Sequence, residues 1–217
     1  MKPLAIVCPS RGRPEALHTM IATALTTSRA DVLIYNDVDD LAAYWDSWSH
    51  LEYKDRVFTV IGAPVGRVGA VNALAHSFGE TYRMFLVTAD DCTFTRKGWD
   101  AEVIAAMDAF GDDIGCVHLA SDNGLPHVNF PCVSRRWIET LGWLECPRLK
   151  NFCVDTVIEV LAIALNRITQ IAPEAVVHHV VRRDGYQEAA RADVYEFLAY
   201  ITQDFAADLA KLRAVLR

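Results

Sequence analysis

The sequence predicts an α/β fold: a mostly parallel central sheet flanked by helices. Three observations carry that prediction. Short apolar runs alternate with segments of helical spacing through the first two-thirds of the chain. The runs are apolar at consecutive positions, as strands covered on both faces require. Hydrophobic residues make up 52% of the 217, ample for one packed domain and too many for disorder.

The elements follow in order. Leu4-Ala5-Ile6-Val7-Cys8 reads as a buried strand stopped by Pro9 and Gly12. Pro14 suits a first helical turn, and Leu17, Met20, Ile21, Ala24 and Leu25 then recur at helical spacing. Val32–Tyr35 is a second strand, ending in the acidic stretch from Asp37 to Asp40, and Val57–Ile61 a third. A helix with Val68, Val71, Ala75 and Phe78 on one face leads to the strand Met84–Val87, which runs directly into Asp90 and Asp91. Trp99, Val103, Ala106, Met107 and Phe110 mark the next helix, and Ile114–Leu119 the next strand. From Asn123 the pattern loosens, with Gly124, Pro126, Pro131 and Pro147 around a short helix at Arg135–Leu141. Val154, Val157, Ile158, Leu161 and Leu165 form a helix, Val176–Val181 a short late strand, and Asp193 to the end one amphipathic helix. No repeat or linker interrupts the chain, so residues 1–217 are expected to form a single domain, with a nucleotide-binding half over 1–120 and an acceptor-side half over 121–217.

Basic residues number 21 and acidic ones 28, a formal charge of −7, which argues against a surface that holds nucleic acid by charge alone. No apolar run approaches the ~18 residues of a membrane span. Only five apolar residues separate Pro3 from Pro9, too few for the core of a secretion signal. A cytoplasmic protein is the expectation. Cys8, Cys92, Cys116, Cys132, Cys146 and Cys153 contain no C-x-x-C pair, so a zinc ribbon is unsupported and free buried thiols are expected.

In parallel sheets ligands bind beyond the carboxyl ends of the strands. Ser10-Arg11-Gly12-Arg13, then Asp37 with Asp39, then Asp90-Asp91 fall at such ends. Arginines beside a glycine at a helix N-terminus suit phosphate, yet neither a P-loop nor G-x-G-x-x-G is present. Adjacent aspartates leaving a buried strand repel one another, and a divalent metal shared with a diphosphate offsets that repulsion. The plain alternative is a turn or a helix cap, and it applies to Asp37 and Asp39 as well, which could cap a helix before Trp45.

The order of these clusters resembles the GT-A glycosyltransferases, in particular the family 2-like group of small bacteriophage and bacterial members. Pro9-Ser10-Arg11-Gly12-Arg13-Pro14 resembles their nucleotide loop, Gly66-Arg67-Val68-Gly69-Ala70-Val71-Asn72 the segment before their fourth strand, and Phe85-Leu86-Val87-Thr88-Ala89-Asp90-Asp91 their DXD strand. Thr88 departs from the pattern, standing where many members have the first aspartate. The resemblance implies a Rossmann-like GT-A fold and a metal-dependent hexosyl- or pentosyltransferase. The donor would be a nucleotide sugar, most simply a UDP-sugar. Its nucleotide would lie among Pro9, Ser10, Arg11, Arg13, Asp37, Asp39, Arg67, Asn72, Ala89 and Asp90. Asp90, Asp91 and His179 would hold Mn²⁺ or Mg²⁺, with His178 a competitor for His179 and the order of roles within the acid pair open. Asp155 would deprotonate the acceptor hydroxyl, implying inversion, although it could equally cap a helix beginning near Thr156.

Trp137 and Trp143 are candidate acceptor contacts. The acceptor is left open between a glycan, a small hydroxylated molecule and a modified DNA base. The C-terminal apolar stripe either packs on the domain or forms a homodimer. The rival readings are a sugar-phosphate nucleotidyltransferase and a nucleotide-sugar-binding module without turnover.

Overall fold

The computed structural model describes residues 1–44, 55–123, 127–171, 174, 176–179 and 186–216. Trp45, Val180 and Val181 lie outside them. A seven-stranded sheet forms the centre, in the order β3-β2-β1-β4-β7-β6-β8. Its strands are β1 (Lys2–Ser10), β2 (Asp31–Asp37), β3 (Val57–Gly62), β4 (Tyr82–Val87), β6 (Cys116–Leu119), β7 (Pro131–Ser134) and β8 (Ile168–Ile171). β7 runs antiparallel to its neighbours β4 and β6, and the remaining pairings are parallel. The expected α/β architecture with a mostly parallel sheet is the one observed.

Alternation along each strand sorts its side chains into two cores. Ala5, Val7, Leu33, Phe85 and Val87 face one core, while Leu4, Ile6, Cys8, Ile34 and Leu86 face the other. The first core is covered by α2 (Gly66–Phe78), α4 (Arg135–Leu141), α5 (Val154–Ala164) and α7 (Phe205–Ala214), and the second by α1 (Pro14–Thr27) and α3 (Trp99–Asp108). Both faces of β1 and β4 are therefore dry, which explains why the sequence runs apolar at every position there.

Several elements differ from expectation. β1 continues through Pro9 to Ser10. The carbonyl of Val7 accepts from the Thr88 amide, so Pro9, two residues on, turns its missing N–H toward a flank where β4 has already ended. β7 and β8 were not legible as strands. They come from the second half of the chain yet complete the same sheet, so the two expected halves share one framework. The late strand is β9 (Val177–His179), and it pairs outside the main sheet with β5 (Cys92–Phe94). The single C-terminal helix is two: α6 (Tyr186–Gln203) and α7, parted at Asp204. Its apolar residues divide between core and surface within α6 itself. Tyr200, Leu209 and Leu212 are buried, while Val194, Tyr195 and Leu198 stand exposed.

Candidate functional site

β1 and β4 are neighbours, but the chain leaves β1 toward β2 on one side and returns to β4 on the other. Such a switch point leaves a crevice beyond the carboxyl ends. Here it is a cleft of about 380 Å³. Pro9, Ser10, Arg11, Arg13, Asp37, Arg67, Ala89, Asp90, Asp91, Asp155 and His179 all line it. Asp39, Asn72, Trp137 and Trp143 do not.

The acid pair is anchored from β1. The Ser10 hydroxyl donates to Asp90 Oδ2 at 2.6 Å and lies 2.9 Å from the Tyr44 hydroxyl, which in turn accepts from the Arg13 amide at 3.2 Å. Asp90 is fully buried, and burial raises its pKa against the opposing pull of Ser10 and Arg13. The Arg13 guanidinium spans the pair, Nη2 at 2.8 Å from Asp90 Oδ1 and Nη1 at 2.9 Å from Asp91 Oδ2.

Asp91 meets His179 because β5 and β9 form an antiparallel ribbon in which Cys92 is opposite His179. The His179 Nε2 lies 3.4 Å from Asp91 Oδ1, and Phe130 meets the ring edge-on at 5.5 Å. Burial alone would raise the Asp91 pKa, but His179 and Arg13 outweigh it and hold the carboxyl below its usual range. Alternation sends His178 the other way, to an exposed pairing with Asp122, whose second oxygen accepts from the His179 amide at 3.1 Å.

The donor set suits a hard divalent cation. Among the described residues His179 Nδ1 is buried without a hydrogen-bond partner, while Asp91 Oδ1 faces the His179 ring at 3.4 Å and Asp90 Oδ1 faces the Arg13 guanidinium at 2.8 Å, and carboxylate and imidazole atoms of this kind can turn to a metal. Among the described residues the ligand atoms of Asp91, Cys92 and His179 lie within 4.8 Å of one another, a group that does not include Asp90. Burial pushes that thiol up to about 12, so it stays protonated at neutral pH.

Arg11 holds acids rather than pointing into free space. It contacts Asp37 and grips Asp39 with two bonds of 2.8 and 2.9 Å. Those bonds keep the Asp39 carboxyl below its usual range. Gly12, at φ +67°, makes the left-handed turn from β1 into α1, and its amide donates to Asp40.

The opposite wall is built from loops. Arg67 donates to Glu145 Oε1 at 2.9 Å and to the Asn151 carbonyl at 3.2 Å. Asn72, expected at the nucleotide, holds the backbone of Leu144 and Glu145 instead. Its carbonyl oxygen accepts from both amides, at 2.8 and 3.0 Å, and its NH₂ donates to the Glu145 carbonyl at 2.8 Å. Both lone pairs of its oxygen are thus taken up by the loop, and the residue does not line the cleft. Asp193, on α6, accepts from the amides of Lys150, Asn151 and Phe152 at 3.1, 2.9 and 2.7 Å. That buried clamp fixes the loop leading to α5.

Asp155 lies in the first turn of α5. The N-cap is Cys153, at a left-handed φ of +59°, so the helix does not begin near Thr156 and Asp155 is not its cap. Burial raises the Asp155 pKa, and Arg67 opposes the rise.

Trp137 and Trp143 correct a further expectation. Both are buried in the first core, Trp137 completely on the inward face of α4 and Trp143 just beyond its Gly142 cap. The wall beside Asp155 is made by Asn129, Phe130, Asn151 and Phe152. Sequence reasoning missed these residues, as it missed Asp193. An Asn-Phe pair occurs at each place, which was the only available signal.

No family model and no curated protein matches the chain. Solved structures do. A structure of GalNAc-T7 with UDP, GalNAc and Mn²⁺ matches at a TM-score of 0.68 and 12% identity, over 95% of this chain and 49% of that one. S. aureus TarS 1-349 in complex with UDP-GlcNAc matches at 0.63 and 14%, over 97% and 72%. A further TarS structure matches at 0.59 and 14%, over 91% of this chain and only 40% of that one. The chain thus spans less than half of two of these three solved chains. What it shares with them, at such identities, is the GT-A fold of the glycosyltransferases.

Proposed function

We propose that the protein is a metal-dependent glycosyltransferase of the family 2-like group, moving a hexosyl or pentosyl unit from a UDP-sugar to an acceptor hydroxyl with inversion. One observation carries the reading. A single cleft at the switch point joins a buried acid pair and a histidine to a carboxylate of raised pKa on the opposite wall. The fold supports it, as does the binding of UDP or UDP-GlcNAc by TarS and of UDP with Mn²⁺ by GalNAc-T7.

Asp90, Asp91 and His179 would hold Mn²⁺ or Mg²⁺. The ion supplies Lewis-acid chemistry, neutralising charge on the departing diphosphate. The protein's own residues do the rest. Arg13 and Arg67 present cations to the phosphates, while Ser10 fixes Asp90 from β1. Asp37, at the end of β2, faces the nucleoside, and Arg11 holds it in place. Asp155 takes the proton from the acceptor oxygen; a carboxylate pKa raised by burial makes it a better base than an exposed aspartate. Asn129, Phe130, Asn151 and Phe152 form the acceptor wall.

Residues 1–217 would act as one domain in the cytoplasm, and no helix among the described residues is long and apolar enough to cross a membrane. Exposed Val194, Tyr195 and Leu198 are where a homodimer would pack.

The test is a thermal-shift screen of UDP and UDP-sugars with and without Mn²⁺. A ligand at 100 times its dissociation constant adds ~2.7 kcal/mol. Mn²⁺-dependent stabilisation by UDP, lost in Asp91→Asn, is the expected result. Stabilisation only by a nucleoside triphosphate would favour the nucleotidyltransferase reading, and tight UDP-sugar binding without turnover a binding module. Equal stabilisation in wild type and Asp91→Asn would remove the metal assignment.

A further inference from the structure

Arg13 holds a position that the proposed chemistry needs for something else. Its guanidinium lies 2.8 Å from Asp90 Oδ1 and 2.9 Å from Asp91 Oδ2, touching both carboxylates that would take the metal. The acids are the fixed members of this contact. Asp90 is fully buried and tied to Ser10, and the Asp91 side chain is only 12% exposed beside His179. Arg13 is the movable member, 39% exposed and carried on the turn between β1 and α1.

We propose that Arg13 is an internal counter-cation that holds the metal seat until a diphosphate draws it away, so that metal and nucleotide enter together. The inference rests on the metal-dependent reading above and adds the order of binding to it.

Charge makes the argument. The pair carries two negative charges, and Arg13 supplies one positive charge in contact with both. A divalent cation entering while Arg13 stays would put three positive charges against two negative ones within a few ångströms, in a partly buried site where screening is weak. A diphosphate changes the count. It brings at least two negative charges, offers the guanidinium a bidentate oxygen pair in place of the carboxylates, and gives the ion additional oxygen ligands. Metal and nucleotide binding are then coupled, and by linkage each must strengthen the other equally. Removing Arg13 should have an effect opposite to that of removing a ligand: it should tighten metal binding to the nucleotide-free protein.

The experiment titrates Mn²⁺ into the full chain, follows the free-ion EPR signal, and repeats the titration with saturating UDP. Wild type should take up Mn²⁺ weakly alone and much more tightly with UDP. Arg13→Gln should bind Mn²⁺ without nucleotide about tenfold more tightly than wild type, within the span usual for such couplings. Its gain on adding UDP should shrink. Arg13→Lys keeps one charge but cannot span both carboxylates, so its shift should be smaller and in the same direction. Melting temperatures read folding independently, and Mn²⁺ alone should raise that of Arg13→Gln more than that of wild type.

Unchanged or weaker nucleotide-free Mn²⁺ binding in both folded variants, with wild type still taking up Mn²⁺ in the presence of UDP, overturns the proposal and leaves the metal site standing. No Mn²⁺ uptake by any of the three proteins, even with UDP, overturns both.

Discussion

The two walls of the cleft are made differently. The wall at the ends of β1, β2 and β4 consists of charged side chains that leave buried strands and pair with one another: Arg11 with Asp37 and Asp39, Arg13 with Asp90 and Asp91. The facing wall consists of loops whose backbone is held by side chains from remote elements. Asn72 reaches from α2 to residues 144 and 145, Arg67 from α2 to Asn151, and Asp193 from α6 to residues 150–152. A wall built on strand ends inherits its rigidity from the sheet. A wall built on loops must be clamped, because each loop amide left buried and unpaired costs ~1–3 kcal/mol. Substitutions should accordingly alter binding on the first wall and placement on the second.

The largest expected effect tests whether the loop wall carries the chemistry. Asp155→Asn should lower transfer by ~10²–10⁴ while UDP affinity stays within about twofold, since a base contacts the acceptor and not the nucleotide. The wild-type rate should rise with pH through the raised Asp155 pKa and level off, and the variant should lack that limb. Stability gives the opposite slope. The folded state holds this proton more tightly than the unfolded chain, so its contribution is full below the ordinary carboxylate pKa and declines as pH rises through the raised value. Asp155→Asn should remove that decline from melting curves taken between acid and neutral pH. A variant that is destabilised but fully active would break the comparison.

Asp193→Ala should come next. Three amides lose a charged acceptor at once, so stability should fall by roughly 3 kcal/mol in a denaturant titration. Hydrogen exchange at residues 150–152 should rise while UDP affinity is kept. Weakened UDP binding with unchanged exchange would place Asp193 on the wrong wall.

Asn72→Ala is the sharper discriminator of the two walls, because the sequence put Asn72 at the nucleotide. Loss of its three backbone bonds should cost about 2 kcal/mol, with the folded variant binding UDP as wild type does. A drop in UDP affinity without a drop in stability would restore the nucleotide role.

Arg11→Ala should have the smallest effect. Arg11 and Asp39 are exposed and only Asp37 is largely buried, so melting temperature should move little. UDP affinity should fall less than in Arg13→Ala. The reverse ranking would move the phosphate site toward Arg11.

What the sequence determined by itself are the features that nearest neighbours along the chain decide. Continuous apolar runs marked β1, β2, β3, β4 and β6, and period-3.6 spacing the helices α1 to α5. Polar residues placed directly after apolar runs marked Ser10, Arg11, Arg13, Asp37, Asp90 and Asp91, because a charge at the end of a buried strand has nowhere to emerge except the crevice. Only the tertiary structure decided the rest. β7 and β8 mix Ser134, Thr169 and Gln170 with few apolar residues, so no apolar run marks them, and they exist because the edge of β4 and then of β6 offers unpaired backbone groups. His179 became the histidine of the cleft through the register of β9 on β5, which a shift of one residue would have given to His178. Trp137 and Trp143 went into the core and Asn72 to a loop, since a large ring or a carboxamide is claimed by whichever buried surface or unpaired amide packing brings nearest. Such claims are settled between residues 70 or more positions apart, as from Asn72 to Leu144 and Glu145, and no local pattern records them.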